Sequence, residues 1–456
     1  MKLSFSKGDV ILLLSALATI FIFYLSIGRA IPLIFVVVAF LFGLYKTELN
    51  VVFVIMCTPI MSNIMGEEGG SGTIVALLFF TTIVVEVLKN LFKKNPSFTS
   101  VFGWGQKHTF TLAIFFFIYF FVLSFLFNGN HDTISFLILT FILLQFFISV
   151  SAYMYRNPDK IIFFFTGVIL AGIISFLIAQ VQTAESLVTE RRIGLDGGVR
   201  TLSNSLGLSL ITIILFLKMG LHNINRGRFR LFFMSICIIS ILVCSLGLVL
   251  SASRGPTIGV LLALIATFIL KDKKKTVTKS KKKYVYLITF VGAIAIGFNY
   301  IIDYAEKNFD GAFQYAYERI YNTSVAEESR FEIWGAALQN VGLENLFLGY
   351  GPKGFTKWSM IFSRDGSLFY AHSVFIDALF AIGYVGLLVL IYIIFSFFIG
   401  FWKVKSPVGI AFVIFILISF TTHGKVYSNH FWITLLCLNV FYIFSTHLHH
   451  KRAYIE

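Results

Sequence analysis

Long apolar runs separated by short polar breaks occupy almost the whole chain. A run of about 20 predominantly apolar residues is long enough to cross a bilayer as a helix. By that criterion the pattern predicts about fourteen spans. They centre near residues 10–26, 30–45, 49–64, 73–90, 109–127, 133–152, 161–181, 202–218, 231–250, 256–270, 284–302, 372–400, 408–421 and 431–446. The second and third are short, and a hairpin there that fails to span would lower the count by two. Only one long segment is compatible with water, residues 303–371, after which the chain returns to apolar sequence at His372. The predicted fold class is an all-α polytopic membrane protein, with about 12–14 transmembrane helices and one long extracytoplasmic loop containing short helices. Four stretches follow: N-terminal transmembrane helices (1–200), transmembrane helices flanking a Ser-Arg-Gly break (201–302), the extracytoplasmic loop (303–371) and C-terminal transmembrane helices (372–456).

Within the loop, Ser329-Arg330-Phe331-Glu332 fits a capping box, with Ser329 as the cap and Glu332 returning the hydrogen bond. Phe331, Trp334, Ala337 and Leu338 then share one face at helical spacing. Leu348-Gly349-Tyr350-Gly351-Pro352 predicts a compact turn, which lacks the Gly-Lys-Ser/Thr ending of a phosphate-binding loop. A helix is expected to begin at His372 and run through the next 28 or so apolar residues.

Composition agrees with the pattern: 57% of residues are hydrophobic, 17% aromatic and 13% charged, which excludes a soluble fold of this size. The net charge of +15 is not a nucleic-acid signature. Threading the spans from a cytoplasmic N-terminus puts about 25 of the 37 Lys and Arg in one set of connections, as the positive-inside rule expects. The run from Lys271 to Lys283 is the strongest such anchor. Both termini are then cytoplasmic and the 303–371 loop is outside. Lys2 and Lys7 precede an apolar run without a convincing cleavage site, so an uncleaved first transmembrane helix is expected. A direct check is thiol labelling of intact membranes. Single cysteines at Ser324 and Ser363 are expected to react with an impermeant reagent, and one at Ser280 only after permeabilisation.

The four cysteines all lie in apolar runs, which implies neither a disulfide framework nor a Cys-based metal site. His447, His449 and His450 adjoin Lys451 and Arg452 and suit a cytoplasmic tail anchor better than a metal site. Charges deep in the spans, which would suggest ion coupling, are nearly absent. Glu86 is expected to snorkel to the cytoplasmic interface near Lys89, and Asp377 lies about a turn inside the outer boundary. No inverted repeat of the transporter kind is visible.

Two residues stand out chemically. Arg254, in the outer break Ser251-Ala252-Ser253-Arg254-Gly255-Pro256, either snorkels to lipid phosphate or grips a diphosphate with its planar fork. Arg191, Arg192, Arg200, Arg319, Arg330 and Arg364 are weaker candidates of the same kind. His372 is either a boundary histidine or a base able to take a proton from a hydroxyl near neutral pH. Asp377 is five residues on, about 140° around the helix from His372, and cannot easily orient it from the same face.

At these residues the sequence resembles the O-antigen ligase and polymerase superfamily. Ser251-Ala252-Ser253-Arg254-Gly255 looks like its Ser-x-Ser-Arg-Gly break. Arg330-Phe331-Glu332-Ile333-Trp334, followed by Leu348-Gly349-Tyr350-Gly351, looks like its outer-loop helix and Gly-x-Gly turn. His372-Ser373, nine residues, then Gly383 and Gly386 is similar to its His signature. The resemblance covers roughly residues 200–400. It implies a metal-independent, inverting glycosyltransferase in the bacterial cytoplasmic membrane, without a cofactor. Its partners would be an undecaprenyl-diphosphate-linked oligosaccharide donor and an acceptor, with a chain-length regulator and a flippase alongside and no nucleic acid. His372 would be the general base, and Arg254 and Arg330 would hold the leaving diphosphate, helped by Arg191, Arg192 or Arg200. Arg319 and Asp377 are secondary. The number of spans and the long loop favour a polymerase, with a ligase acting on lipid A core or protein as the alternative. A lipid-linked-oligosaccharide flippase is the alternative from another class, disfavoured because the cations gather on the outer rim rather than inside the spans.

Overall fold

The computed structural model describes residues 32–64, 71–92, 131–186, 199–219, 228–251, 253–270, 329–340, 342, 347, 349–351, 354–362, 371–422 and 429–453. Among them are thirteen α-helices and no β-strand. The helices are α1 (Pro32–Tyr45), α2 (Thr47–Ile64), α3 (Ser71–Leu91), α4 (His131–Arg156), α5 (Ile161–Ser186), α6 (Val199–Met219) and α7 (Arg228–Leu250). There follow α8 (Arg254–Ile269), α9 (Ser329–Asn340), α10 (Gly354–Phe362), α11 (Val374–Lys403), α12 (Pro407–Thr422) and α13 (Asn429–Ala453). Eleven of them coincide with expected spans; the spans near 10–26, 109–127 and 284–302 lie outside the described residues. By length and composition alone, the described segments Pro158–Gln180, Val374–Lys403 and His430–His449 are long and apolar enough to cross a membrane. The fold is that of an all-α polytopic membrane protein.

The expected short pair is a helical hairpin. α1 has 14 residues and rises only about 21 Å. The chain turns at Lys46, whose amide donates to the Phe42 carbonyl at 2.8 Å. Phe53 then packs against Phe35 and Phe42, and the buried Asn50 side chain donates to the Ala39 carbonyl and to Thr81 on α3. With no water inside a bilayer, such polar groups must be satisfied within the bundle.

The helices alternate in direction and so define two ends. At one end lie Lys46, Lys89, Arg156, Lys160, Lys218, Lys403 and Lys405, the residues expected together on the cytoplasmic side. Here Glu48 pairs with Lys160 at 3.2 Å and accepts from the Tyr153 hydroxyl at 2.6 Å, while Lys89 donates to Thr47. Glu86 does not snorkel as expected. It is 5% exposed and pairs with Arg156 at 3.3 Å, because α3 and α4 pack together and bring the two charges within reach.

Lipid-type surface is plain on α7, α8 and α11. Ile258, Leu261, Leu262, Ile265 and Ile269 form an exposed stripe at helical spacing, and Leu388, Ile391 and Phe395 form another. Close packing instead uses small residues. α8 runs antiparallel along α12, where a Cβ on Gly259 would meet the Phe415 carbonyl at 3.3 Å.

Candidate active site

The site lies at the end opposite the basic one, where α6, α8, α11 and α13 begin and α12 ends. The N-termini of α8 and α11 carry partial positive charge, which favours an anion close to them, whereas α5, α7 and α12 end here with the opposite sign. Arg254 is the first residue of α8 and is half-buried; Ser253, its N-cap residue, is buried in an extended conformation. Two contacts fix the register of α6 beside α8. A Cβ on Gly207 would lie 3.3 Å from Pro256, and Lys218 donates to the Thr267 carbonyl at the far end. Both pair residues 49 apart, which brings Asn204 to the depth of Ser253. Asn204 also accepts from Ser419 on α12 at 2.8 Å, tying α6, at the depth where α8 starts, to the last turn of α12.

The start of α11 is tied to the same turn. Ser373 is its N-cap: the hydroxyl accepts from the Ile376 amide and donates to the Phe420 carbonyl, each at 3.4 Å. The helix therefore begins at Val374, not at His372 as the sequence suggested, because serine caps a helix well and histidine does not. His372 stands outside the helix, half-buried, with a left-handed φ of 54°. A non-glycine residue there costs about 1–2 kcal/mol. The conformation is held from both sides. Ser373 is anchored to α12, and the carbonyl of Ala371 accepts from the Trp334 indole at 2.6 Å. The 140° separation from Asp377 assumed a helical His372 and does not apply. Asp377 is 3% exposed in the first turn of α11.

Above this start lie the two loop helices. α9 forms where the capping box predicted it. Its buried residue is Ala337, whereas Phe331 and Leu338 of the expected face are exposed. Ala337 joins Phe355 and Trp358 of α10 and Leu379 and Phe380 of α11 in a small apolar cluster that docks the loop on the helix. The docking uses a break in α11. Gly383 has φ 67° and ψ −172°, which interrupts the helix and releases backbone carbonyls. The amide of Tyr350 donates to the Phe380 carbonyl at 2.6 Å, and that of Gly351 to the Ala381 carbonyl at 3.0 Å. Gly349 and Gly351, both at φ 78°, bring backbone directly onto backbone. The Gly-x-Gly turn and Gly383, ten residues after Ser373, are thus two halves of one contact.

Of the expected site residues, Arg254 and His372 both border the last turn of α12. Arg200 and Arg330 are the second residues of α6 and α9. Arg191, Arg192, Arg319 and Arg364 lie outside the described residues. Asn204 and Ser419 carried no local signal beyond being polar inside apolar runs, and only the fold pairs them. Among the described residues no group of three or more His, Cys, Asp or Glu is placed to hold a metal ion.

No curated protein matches the chain. A family model described as O-antigen ligase matches residues 239–391, from α7 through the break in α11. That stretch includes Arg254, Arg319, Arg330, His372 and Asp377, and leaves Arg191, Arg192 and Arg200 outside it. Members of that family are glycosyl-transferring enzymes. The match, over residues that build the break, the loop docking and the start of α11, aligns this part of the chain with the O-antigen ligase and polymerase superfamily.

Proposed function

We propose that the protein is an integral membrane glycosyltransferase. It polymerises undecaprenyl-diphosphate-linked oligosaccharide repeat units into a surface polysaccharide, O-antigen or capsule, at the outer face of the bacterial cytoplasmic membrane. The observation that carries this reading is His372, held in a left-handed conformation between the Trp334 and Ser373 anchors beside the helix end that also borders Arg254. Backbone strain maintained by two such anchors marks a residue whose position matters.

In the proposed reaction the acceptor hydroxyl attacks the anomeric carbon from the side opposite the diphosphate. The new glycosidic C–O bond forms as the bond to the diphosphate breaks, inverting the anomeric centre. His372 takes the hydroxyl proton, and the electron pair leaves with the diphosphate. The Arg254 guanidinium supplies fixed positive charge where negative charge develops, together with the surrounding helix N-termini. Arg330 and Arg200, in the first turns of α9 and α6, are proposed as further diphosphate contacts, with Arg191, Arg192 and Arg319 in the same role. The donor and acceptor are the partners, with a chain-length regulator and a flippase acting on the same lipid-linked pool. The reaction as written needs no metal. The basic end faces the cytoplasm, as positively charged connections do.

A ligase is the second reading, favoured by the family description over residues 239–391. The two differ in what accumulates when the protein is removed. A polymerase leaves single repeat units on the lipid carrier, which is the expected result. A full ladder of polymer lengths left on the carrier assigns a ligase instead.

A further inference from the structure

Gln180, which no motif singled out, lies near the end of α5 with its Nε2 buried and without a hydrogen-bond partner. An unsatisfied amide is expensive inside a bilayer, and in a native structure it calls for an explanation. Its surroundings follow from the packing of α5. A Cβ on Gly172 would meet Ser209 of α6 and Cys244 of α7. Phe176, one turn on, reaches the position of Gly247 on α7 and lies beside Leu206 of α6. α5 therefore runs parallel to α7 and antiparallel to α6, with this face between them. Gln180 is one further turn along the same face. The same step carries α7 from Gly247 to Ser251, whose amide donates to the Gly247 carbonyl at 2.9 Å. It carries α6 from Leu206 to about Leu202, half a turn from Asn204. Gln180 thus sits at the depth of the Ser251–Arg254 break, with α6 between it and the Asn204–Ser419 bond. The same end holds another buried, unpartnered side-chain donor, the Trp432 indole Nε1, which like the Gln180 amide nitrogen calls for an acceptor oxygen.

We propose that Gln180 is a binding residue for the diphosphate of the lipid-linked donor, its side-chain amide donating to a phosphate oxygen that Arg254 holds from the other side of the break. This rests on the glycosyltransferase reading above. It adds a contact from α5, outside the stretch that matches the family. The role differs from that of Arg254. A neutral donor contributes to binding without adding charge, and it lies unsatisfied until the ligand arrives.

The test uses the full-length protein in nanodiscs and undecaprenyl diphosphate as the probe, with undecaprenol as the headgroup-free control. Gln180→Met keeps the length and removes the donor. The ligand-free variant is expected to unfold at the same temperature as wild type or higher, since an apolar group replaces an unsatisfied one. Probe binding is expected to weaken about tenfold to a hundredfold, the range for a hydrogen bond to a charged group. Gln180→Glu brings a carboxylate to the diphosphate and is expected to weaken binding at least as much. Arg254→Ala separates the two levels of the proposal. If it loses binding while both Gln180 variants bind within twofold of wild type, the Gln180 assignment is overturned and the diphosphate site stands. If Arg254→Ala and both Gln180 variants all bind normally, the diphosphate reading fails as well. Equal weakening toward undecaprenol would make Gln180 a lipid-packing residue and overturn the proposal.

Discussion

His372→Gln is expected to insert and bind the lipid-linked donor normally, yet lose transfer by a factor on the order of 10²–10⁴, the usual contribution of general-base catalysis. Glutamine retains a hydrogen-bonding group at the same place but cannot accept the hydroxyl proton. The backbone sharpens the expectation. At φ 54° the side chain leaves the chain in a direction set by the Trp334–Ala371 and Ser373–Phe420 bonds, not by a helix. The backbone that carries the imidazole is therefore held by two elements, α9 and α12, on the residues that flank it. His372→Ala is expected to be as inactive as His372→Gln. The measurement is turnover with purified lipid-linked donor, with a chelator present so that adventitious metal does not contribute. Near-normal turnover by His372→Gln reduces the histidine to a positioning group and moves the base elsewhere.

The second large effect concerns Gly349, in the turn that docks the loop on α11. A Cβ there would lie 2.6 Å from the Ala381 carbonyl carbon and 2.7 Å from the Gly383 amide, and the residue also has φ 78°. Both neighbours are backbone of a packed helix and cannot move aside. Gly349→Ala therefore carries a left-handed penalty and a steric one, together on the order of 3 kcal/mol or more. The expected outcome is undocking of α9 and α10 from α11, loss of the Trp334 anchor on Ala371, and a fall in turnover comparable to that of a catalytic substitution. Gly335 is the control. It lies inside α9 with nothing within 4 Å of an added Cβ, and Gly335→Ala is expected to be neutral or stabilising by about 0.5–1 kcal/mol. Thermal unfolding and turnover of the two variants, measured side by side, check both statements. Equal tolerance at the two positions would mean that the loop does not dock through this turn.

These predictions also mark where sequence reasoning runs out. The spans were legible because an apolar run of bilayer length admits few alternatives, and the helix of the loop was legible from its capping box. The break in α11 was not. Apolar residues continue through Gly383 without interruption, and only the seating of Tyr350 and Gly351 on the freed carbonyls requires it. The placement of His372 inside the helix failed for a related reason. The run of apolar residues begins immediately afterwards, and the competing signal, Ser373 as a better cap, shifts the start by two residues and changes how the histidine is held. Polar residues that pair across the bundle left no trace in the sequence. Asn204 and Ser419 are 215 residues apart, and Glu86 meets Arg156 only because α3 packs on α4. Arg254 and His372 were singled out from their motifs, but that both border the last turn of α12 depends on the antiparallel packing of α8 and α12 and on the Ser373–Phe420 bond.

The most direct test of the account is whether the purified protein alone joins lipid-linked glycans. Wild-type protein in nanodiscs is given a single chemically defined repeat unit on undecaprenyl diphosphate, with no other protein and no nucleotide. The predicted result is a ladder of lipid-linked glycans two or more units long, with one undecaprenyl diphosphate released for each new linkage and inversion at the donor's anomeric carbon. Donor recovered unchanged from an inserted, folded and donor-bound protein would contradict it.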